Sequence, residues 1–186
     1  MASWGDIAVG EIRPSQDHPT KSAIMGLLAA AVGIRRDAEA EQIAFCNGYR
    51  LAVAVQSFGD ALTDYHTIEV PAADKKIKYL QTRKDEMLEV IRQKKERDFK
   101  GTILSKRDYY LDALSTVCLS AKPDAPYALS DLRAHLIHPT FTLYLGRKSC
   151  PIALPLQPQI IDADDPPQAL VKASFIEEIE DGIKKN

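Results

Sequence analysis

No stretch of this chain approaches the ~20 consecutive apolar residues needed to cross a bilayer as a helix, so no membrane partner is expected. The apolar run within 9–33 has no basic leader before it and no small-residue cleavage site after it, which excludes a secretory signal. Cysteine is scarce: Cys46, Cys118 and Cys150 are an odd number, far apart and without paired spacing. That pattern offers neither a disulfide framework nor a zinc site and points to a reducing, cytoplasmic setting. Glycine is missing where a triphosphate would need it. Thr20-Lys21-Ser22 before a helix has the ending of a phosphate-binding loop, yet 14–19 contains no glycine to let the backbone wrap the phosphates. Nucleotide hydrolysis is excluded, and no cofactor or metal is expected.

What is present suits one domain of ordinary size or one domain with an appendage: 186 residues, 45% apolar and 27% charged. The net charge of −2 conceals a strong asymmetry. Residues 75–107 hold twelve Lys or Arg against five acids, a local +7 that leaves −9 for the rest. A near-neutral chain with half its cations in one segment remains a candidate for a nucleic-acid partner.

Taken in order, the pattern predicts a short buried helix over 18–33, with Pro19 in its first turn, His18 or Thr20 as cap, and Gly33 as a left-handed stop. Ile24, Leu27, Leu28 and Ala31 share one face, and Gly26 suggests close packing against a sheet. Lys21 and Ser22 stand at the helix mouth, where free N–H groups and the dipole favour an anion. A second helix follows over 38–46. A strand over 49–56 carries Tyr49, Leu51, Val53 and Val55 on one face. Gly59-Asp60 signals a turn, so 62–70 is expected to return as its hairpin partner, closed by Pro71. Residues 72–106 are an exposed charged projection, either a solvated helix or a basic arm. A strand over 111–121, apolar on both faces, reads as central. A helix capped by Ser130 follows, with Leu132 and Leu136 inward, and then a last strand over 141–145. The tail is proline-rich and then acidic, with seven acids against three lysines from Ile160 onward. One more strand at the front would complete the split βαβ pattern of a ferredoxin-like α+β domain.

Three clusters carry candidate chemistry. Lys21-Ser22 offers a single-phosphate grip. Asp64-Tyr65-His66 resembles a general-base cluster, although a His beside a Tyr on a strand is more often structural or a ligand contact, and no nucleophile is tied to it. Arg147-Lys148-Ser149 is a second phosphate contact. Tyr109, Tyr110 and Tyr144 beside Arg107 and Arg147 supply aromatic faces next to cations, which single-stranded RNA binding uses; ordinary surface charge with half-buried tyrosines is the other reading.

These stretches also resemble a known family. Ser3-Trp4-Gly5, Arg13-Pro14, Pro19-Thr20-Lys21-Ser22, Gly26-Leu27-Leu28 and Gly33-Ile34 are similar to the opening of the CasD subunits of subtype I-E CRISPR Cascade. Asp64-Tyr65-His66-Thr67, Arg107-Asp108-Tyr109-Tyr110-Leu111-Asp112-Ala113 and Tyr144-Leu145-Gly146-Arg147-Lys148-Ser149-Cys150-Pro151 resemble its later signatures, in order. The resemblance implies an RNA-recognition-type ferredoxin domain over 1–151, a projecting basic thumb over about 68–106, and a C-terminal segment over 152–186. Family members carry a strand before Ser-Trp-Gly and continue further at the C-terminus, so a sheet lacking its first strand is expected. The implied role is non-catalytic: holding the 5′ handle of the crRNA, touching the backbone subunit CasC and the large subunit CasA, and meeting target DNA only indirectly. On this reading Arg13, Lys21, Ser22, Tyr65, His66, Arg107, Tyr144, Arg147 and Lys148 contact RNA. Two alternatives stay open. One is a metal-independent endoribonuclease with His66 or Tyr65 as base; the other is a purely protein-interacting module.

Overall fold

The computed structural model describes residues 1–5, 8, 10–71, 85, 88, 89, 92 and 99–173. In chain order the elements are β1 (Ile12–Arg13), α1 (Lys21–Val32), α2 (Glu39–Asn47), β2 (Tyr49–Ser57), β3 (Asp60–Pro71), β4 (Phe99–Leu111), β5 (Leu114–Ala121), α3 (Leu129–Ile137) and α4 (Pro166–Lys172). The chain is a mixed α+β protein.

Helix α1 follows its local chemistry. The Thr20 hydroxyl accepts from the Ala23 N–H at its start, and Gly33 ends it with φ +90°. Pro19 therefore lies just outside the first turn, and His18 pairs with Asp17 at 2.7 Å instead of capping. Ile24, Met25, Leu28, Ala29 and Ala31 are buried. Most of them form the core with Ile34, Phe45 of α2, Tyr49 of β2 and Leu132 of α3, bordered by Leu51, Val117 and Leu119. Tyr49, Leu51, Val117 and Leu119 share one face of the β2–β5 pair, so the period-2 stripe read from the sequence is the face the helices cover. Gly26 does not pack against a sheet. It is exposed, and a side chain there would meet nothing within 4 Å.

The strands depart from a simple hairpin. β2 pairs with β5, and β3 pairs with β4, both antiparallel. The pairings Ser57↔Leu114 and Asp60↔Leu111 lie on either side of one joint. Residues 49–71 and 99–121 thus form a single long ribbon with a bend, and Gly59-Asp60 is that bend and not a reversal. Gly59 has φ +68° and Asp112, across from it, φ +51°. A Cβ at Gly59 would sit 2.0 Å from the Leu111 carbonyl oxygen, so only glycine lets the two chains stay this close through the corner.

Other expectations are corrected here. The strand over 111–121 is β5, which pairs only with β2 among the described residues and is not central. β4 is the central strand of the other sheet, in the order β1-β4-β3, and much of it lies in the segment read as a charged projection. The flanks of the thumb range, 68–71 and 99–106, belong to the β3–β4 ladder; apart from 85, 88, 89 and 92, the residues between them fall outside the described ones. Ser130 lies inside α3 and its hydroxyl meets Asp131, while Ala128 is the cap position. No strand forms over 141–145. The Thr140 and Phe141 N–H groups donate instead to the Ala31 and Ala30 carbonyls, which α1 leaves unsatisfied at its C-terminus. The tail holds a helix that the composition concealed: Pro166 starts α4, and the Asp165 carboxylate accepts from the Gln168 N–H.

The N-terminal residues close one edge of β4. Ala2 exchanges two backbone hydrogen bonds with Tyr110, at 2.8 and 2.9 Å, and the Ser3 N–H donates to the Leu145 carbonyl at 3.1 Å. Ala2, Ser3 and Trp4 are all buried. β1 runs parallel to β4 further along, so two short N-terminal pieces line the edge of β4 opposite β3.

Candidate nucleic-acid interface

Alternation along β4 divides the candidate residues between two faces. Ser105, Arg107 and Tyr109 point one way, and Ser105 and Tyr109 are buried. Register places Arg13 of β1 and Asp64 of β3 on either side of Arg107, and His66 beside Ser105. Neighbouring strands are about 4.8 Å apart, so Arg13, Arg107 and Asp64 occupy adjacent positions on one row of the sheet. His66 Nδ1 lies 3.7 Å from the Asp64 carboxylate.

Arg147 reaches the same face from the loop after α3. Its guanidinium lies 4.9 Å from the Tyr109 ring centroid, and its Nη2 donates to the Arg13 carbonyl at 3.2 Å. Its Nη1 is buried without a hydrogen-bond partner. The loop is held in place by a close approach: Gly146 has φ +87°, and a Cβ there would fall 1.7 Å from the Ser3 carbonyl oxygen. The Leu145 N–H donates to the Cys150 carbonyl, Tyr144 bridges Pro151, and the Cys150 side chain is fully buried. The motif Tyr144–Pro151 is therefore a small closed loop that delivers Arg147 onto Tyr109.

The remaining candidates separate from this group. Arg13 turns its guanidinium back onto the carbonyls of Gly10 and Ile12, so its backbone serves Arg147 while its charge stays near its own turn. Lys148 is exposed beside Arg147, and Tyr144 is half-buried in its bridge. Lys21 and Ser22 are exposed at the mouth of α1, where the Ser22 hydroxyl meets Thr20 at 3.2 Å. They belong to a different element from Arg107, and among the described residues they share no hydrogen bond or ring contact with it or Arg147. Tyr65 follows strand alternation onto the opposite face from His66 and Arg107, with Lys106 over its ring at 5.4 Å. The Asp64-Tyr65-His66 cluster therefore divides by strand alternation, with Asp64 and His66 on one face and Tyr65 on the other. Among the described residues no group of three or more His, Cys, Asp or Glu is placed to hold a metal ion. No helix among them is long and apolar enough to cross a membrane.

Sequence reasoning missed the role of Ser3 as the wall behind Gly146, and of Lys106 as the neighbour of Tyr65. The second was detectable: reading 99–111 as a strand places Lys106 and Arg107 on opposite faces at once.

Comparison with known proteins decides the family. The model for CRISPR-associated protein (Cas_Cas5) matches residues 1–182. The chain belongs to the Cas5 family. Within it, the chain is 32% identical over 179 residues to the CRISPR system Cascade subunit CasD of Escherichia coli strain K12, covering 92% of this chain and 71% of that protein. A chain of a CRISPR RNA-guided surveillance complex is similar at TM-score 0.62 and 28% identity, over 92% of this chain. A structure titled as a Cas protein is similar at TM-score 0.50 and 26% identity, over 96% of this chain. The chain spans 64% of the length of each of these two solved chains. As a Cas5 protein, it presents its motif loop, its N-terminal residues and the centre of β4 as one connected unit.

Proposed function

We propose that the chain is a non-catalytic RNA-binding subunit of a type I-E Cascade surveillance complex in antiviral defence. In this reading it holds the 5′ handle of the crRNA and joins the backbone subunit CasC to the large subunit CasA. Target DNA is met through the guide and not by this chain. The observation that carries the reading is Arg147, fixed over Tyr109 beside Arg107 with a buried Nη1 that has no partner. A guanidinium matches the oxygens of a phosphate in a planar fork, and Arg107, on the same strand face as the ring that holds Arg147, completes the place where a backbone phosphate would sit. Lys148 adds exposed charge beside it, and His66 offers a polar edge for an unpaired base. Lys21 and Ser22 take a further phosphate at the mouth of α1. An RNA-recognition-type ferredoxin core and a basic thumb belong to the same proposal.

The similarity to a Cascade subunit and to a chain of an RNA-guided complex supports the setting. The test is nuclease footprinting of the assembled complex. Handle nucleotides are expected to be protected, and the Arg107→Ala/Arg147→Ala double variant is expected to lose that protection. An unprotected handle in the unsubstituted complex would favour a protein-interaction module. Specific cleavage of repeat RNA without metal, abolished by His66→Ala, would favour an endoribonuclease.

A further inference from the structure

The outer face of the β3–β4 ribbon, turned away from Arg147, has a composition of its own. Across the three strands β1, β4 and β3, one row reads Ile12, Lys106, Tyr65. Ile12 is 55% exposed and Tyr65 60% exposed. Lys106 lies between them, its ammonium 5.4 Å from the Tyr65 ring. The next row pairs exposed Leu104 with Thr67, and the row on the other side pairs Asp108 with Thr63. The acid of that row is engaged: the Thr63 hydroxyl donates to Asp108 at 2.8 Å.

We infer that this face binds an unpaired nucleotide through Tyr65 and Lys106, from a stretch of strand separate from the one on the arginine face. The inference rests on the RNA-binding reading above. A nucleotide carries one aromatic plane and one anionic group, and the row supplies one receptor for each. Tyr65 offers its open side to a base, and Lys106 offers its ammonium to the adjoining phosphate. An apolar protein surface fits less well, because it would strip water from the lysine at the centre of the patch without pairing it. Charge also favours a polyanion, since β3 and β4 lead into the segment 75–107 with its local +7. Stacking of this kind tolerates any base, so the contact sets position along the strand and not sequence.

The test uses the assembled complex carrying guide RNAs with 2-aminopurine placed at successive positions. One position is expected to be quenched, with the quenching abolished in Tyr65→Ala, kept in Tyr65→Phe and weakened in Lys106→Ala. Handle protection should remain intact in all three. If no position responds to Tyr65→Ala while the handle stays protected, this inference fails and the proposed function stands. Loss of a protein subunit in Tyr65→Ala without any fluorescence change would mark the face as a protein-docking surface and overturn it too. An unprotected handle in the unsubstituted complex overturns both.

Discussion

Replacing glycine by alanine at two positions should have opposite effects. At Gly146 the backbone sits at φ +87°, and a Cβ would fall 1.7 Å from the Ser3 carbonyl oxygen. Left-handed backbone costs a non-glycine residue about 1–2 kcal/mol. Relieving the clash requires Ser3 and the loop to part, which puts at risk the hydrogen bond from the Ser3 N–H to Leu145, worth about 1 kcal/mol. Gly146→Ala should therefore cost about 2–3 kcal/mol. For a chain of this size that lowers Tm by roughly 4–12 °C. Gly26 lies mid-helix in α1, is exposed, and would give a Cβ nothing within 4 Å. Gly26→Ala should stabilise by about 0.5–1 kcal/mol, through a less flexible unfolded chain and better helicity. Urea and thermal unfolding of both variants measure the contrast. RNA affinity provides a second readout, because only Gly146→Ala displaces Arg147 from Tyr109. Equal effects at the two positions, or unchanged affinity in Gly146→Ala, would refute the idea that the Ser3 approach positions Arg147.

Two further outcomes follow from the core and the tail. The Tyr49 hydroxyl donates to the Tyr127 carbonyl at 2.7 Å and accepts from the Tyr127 N–H at 3.1 Å, so Tyr49→Phe should cost about 1–3 kcal/mol by leaving those groups unpaired. Burial raises the Tyr49 pKa above its ordinary 10.0. The folded state then holds its proton longer than the unfolded one, so this contribution is full below pH 10.0 and disappears as pH climbs through the raised value; urea titrations should show that alkaline decline reduced in Tyr49→Phe. Asp165 caps α4, and Asp165→Ala should weaken that cap by about 0.5–2 kcal/mol, read as faster hydrogen exchange at the Gln168 amide with the core unaffected.

Local signals were legible in the sequence, while long-range ones were less so. Thr20 and Gly33 bound α1 because a side-chain cap and a left-handed stop act within one turn. The stripe of Tyr49, Leu51 and Val53 was readable because alternation fixes a face whatever the partner. The choice of partner is not local. Gly59 supplied a turn signal, but the packing of Leu111 and Asp112 opposite it turned the signal into a bend of two paired chains. The same non-locality hid β4, whose charges read as an exposed arm although Ser105 and Tyr109 are covered, the latter by Arg147. The stretch 141–145 had strand-like composition, yet the Thr140, Phe141 and Leu145 N–H groups serve α1 and the loop itself. At the site, each arginine could be named in advance. Their grouping could not, because it depends on Ser3 meeting Gly146 across more than a hundred residues.

The central claim is that Arg107 and Arg147 hold RNA phosphates, and the salt dependence of handle RNA affinity tests it most directly. Each single-strand phosphate that a variant no longer neutralises should make the slope of log K against log salt shallower by about 0.7. Arg107→Ala and Arg147→Ala are each expected to bind more weakly at low salt and to show that shallower slope, while Arg133→Ala, whose guanidinium serves the Pro158 carbonyl, keeps the original line. Superimposed lines for the three variants and the unsubstituted protein would contradict the account.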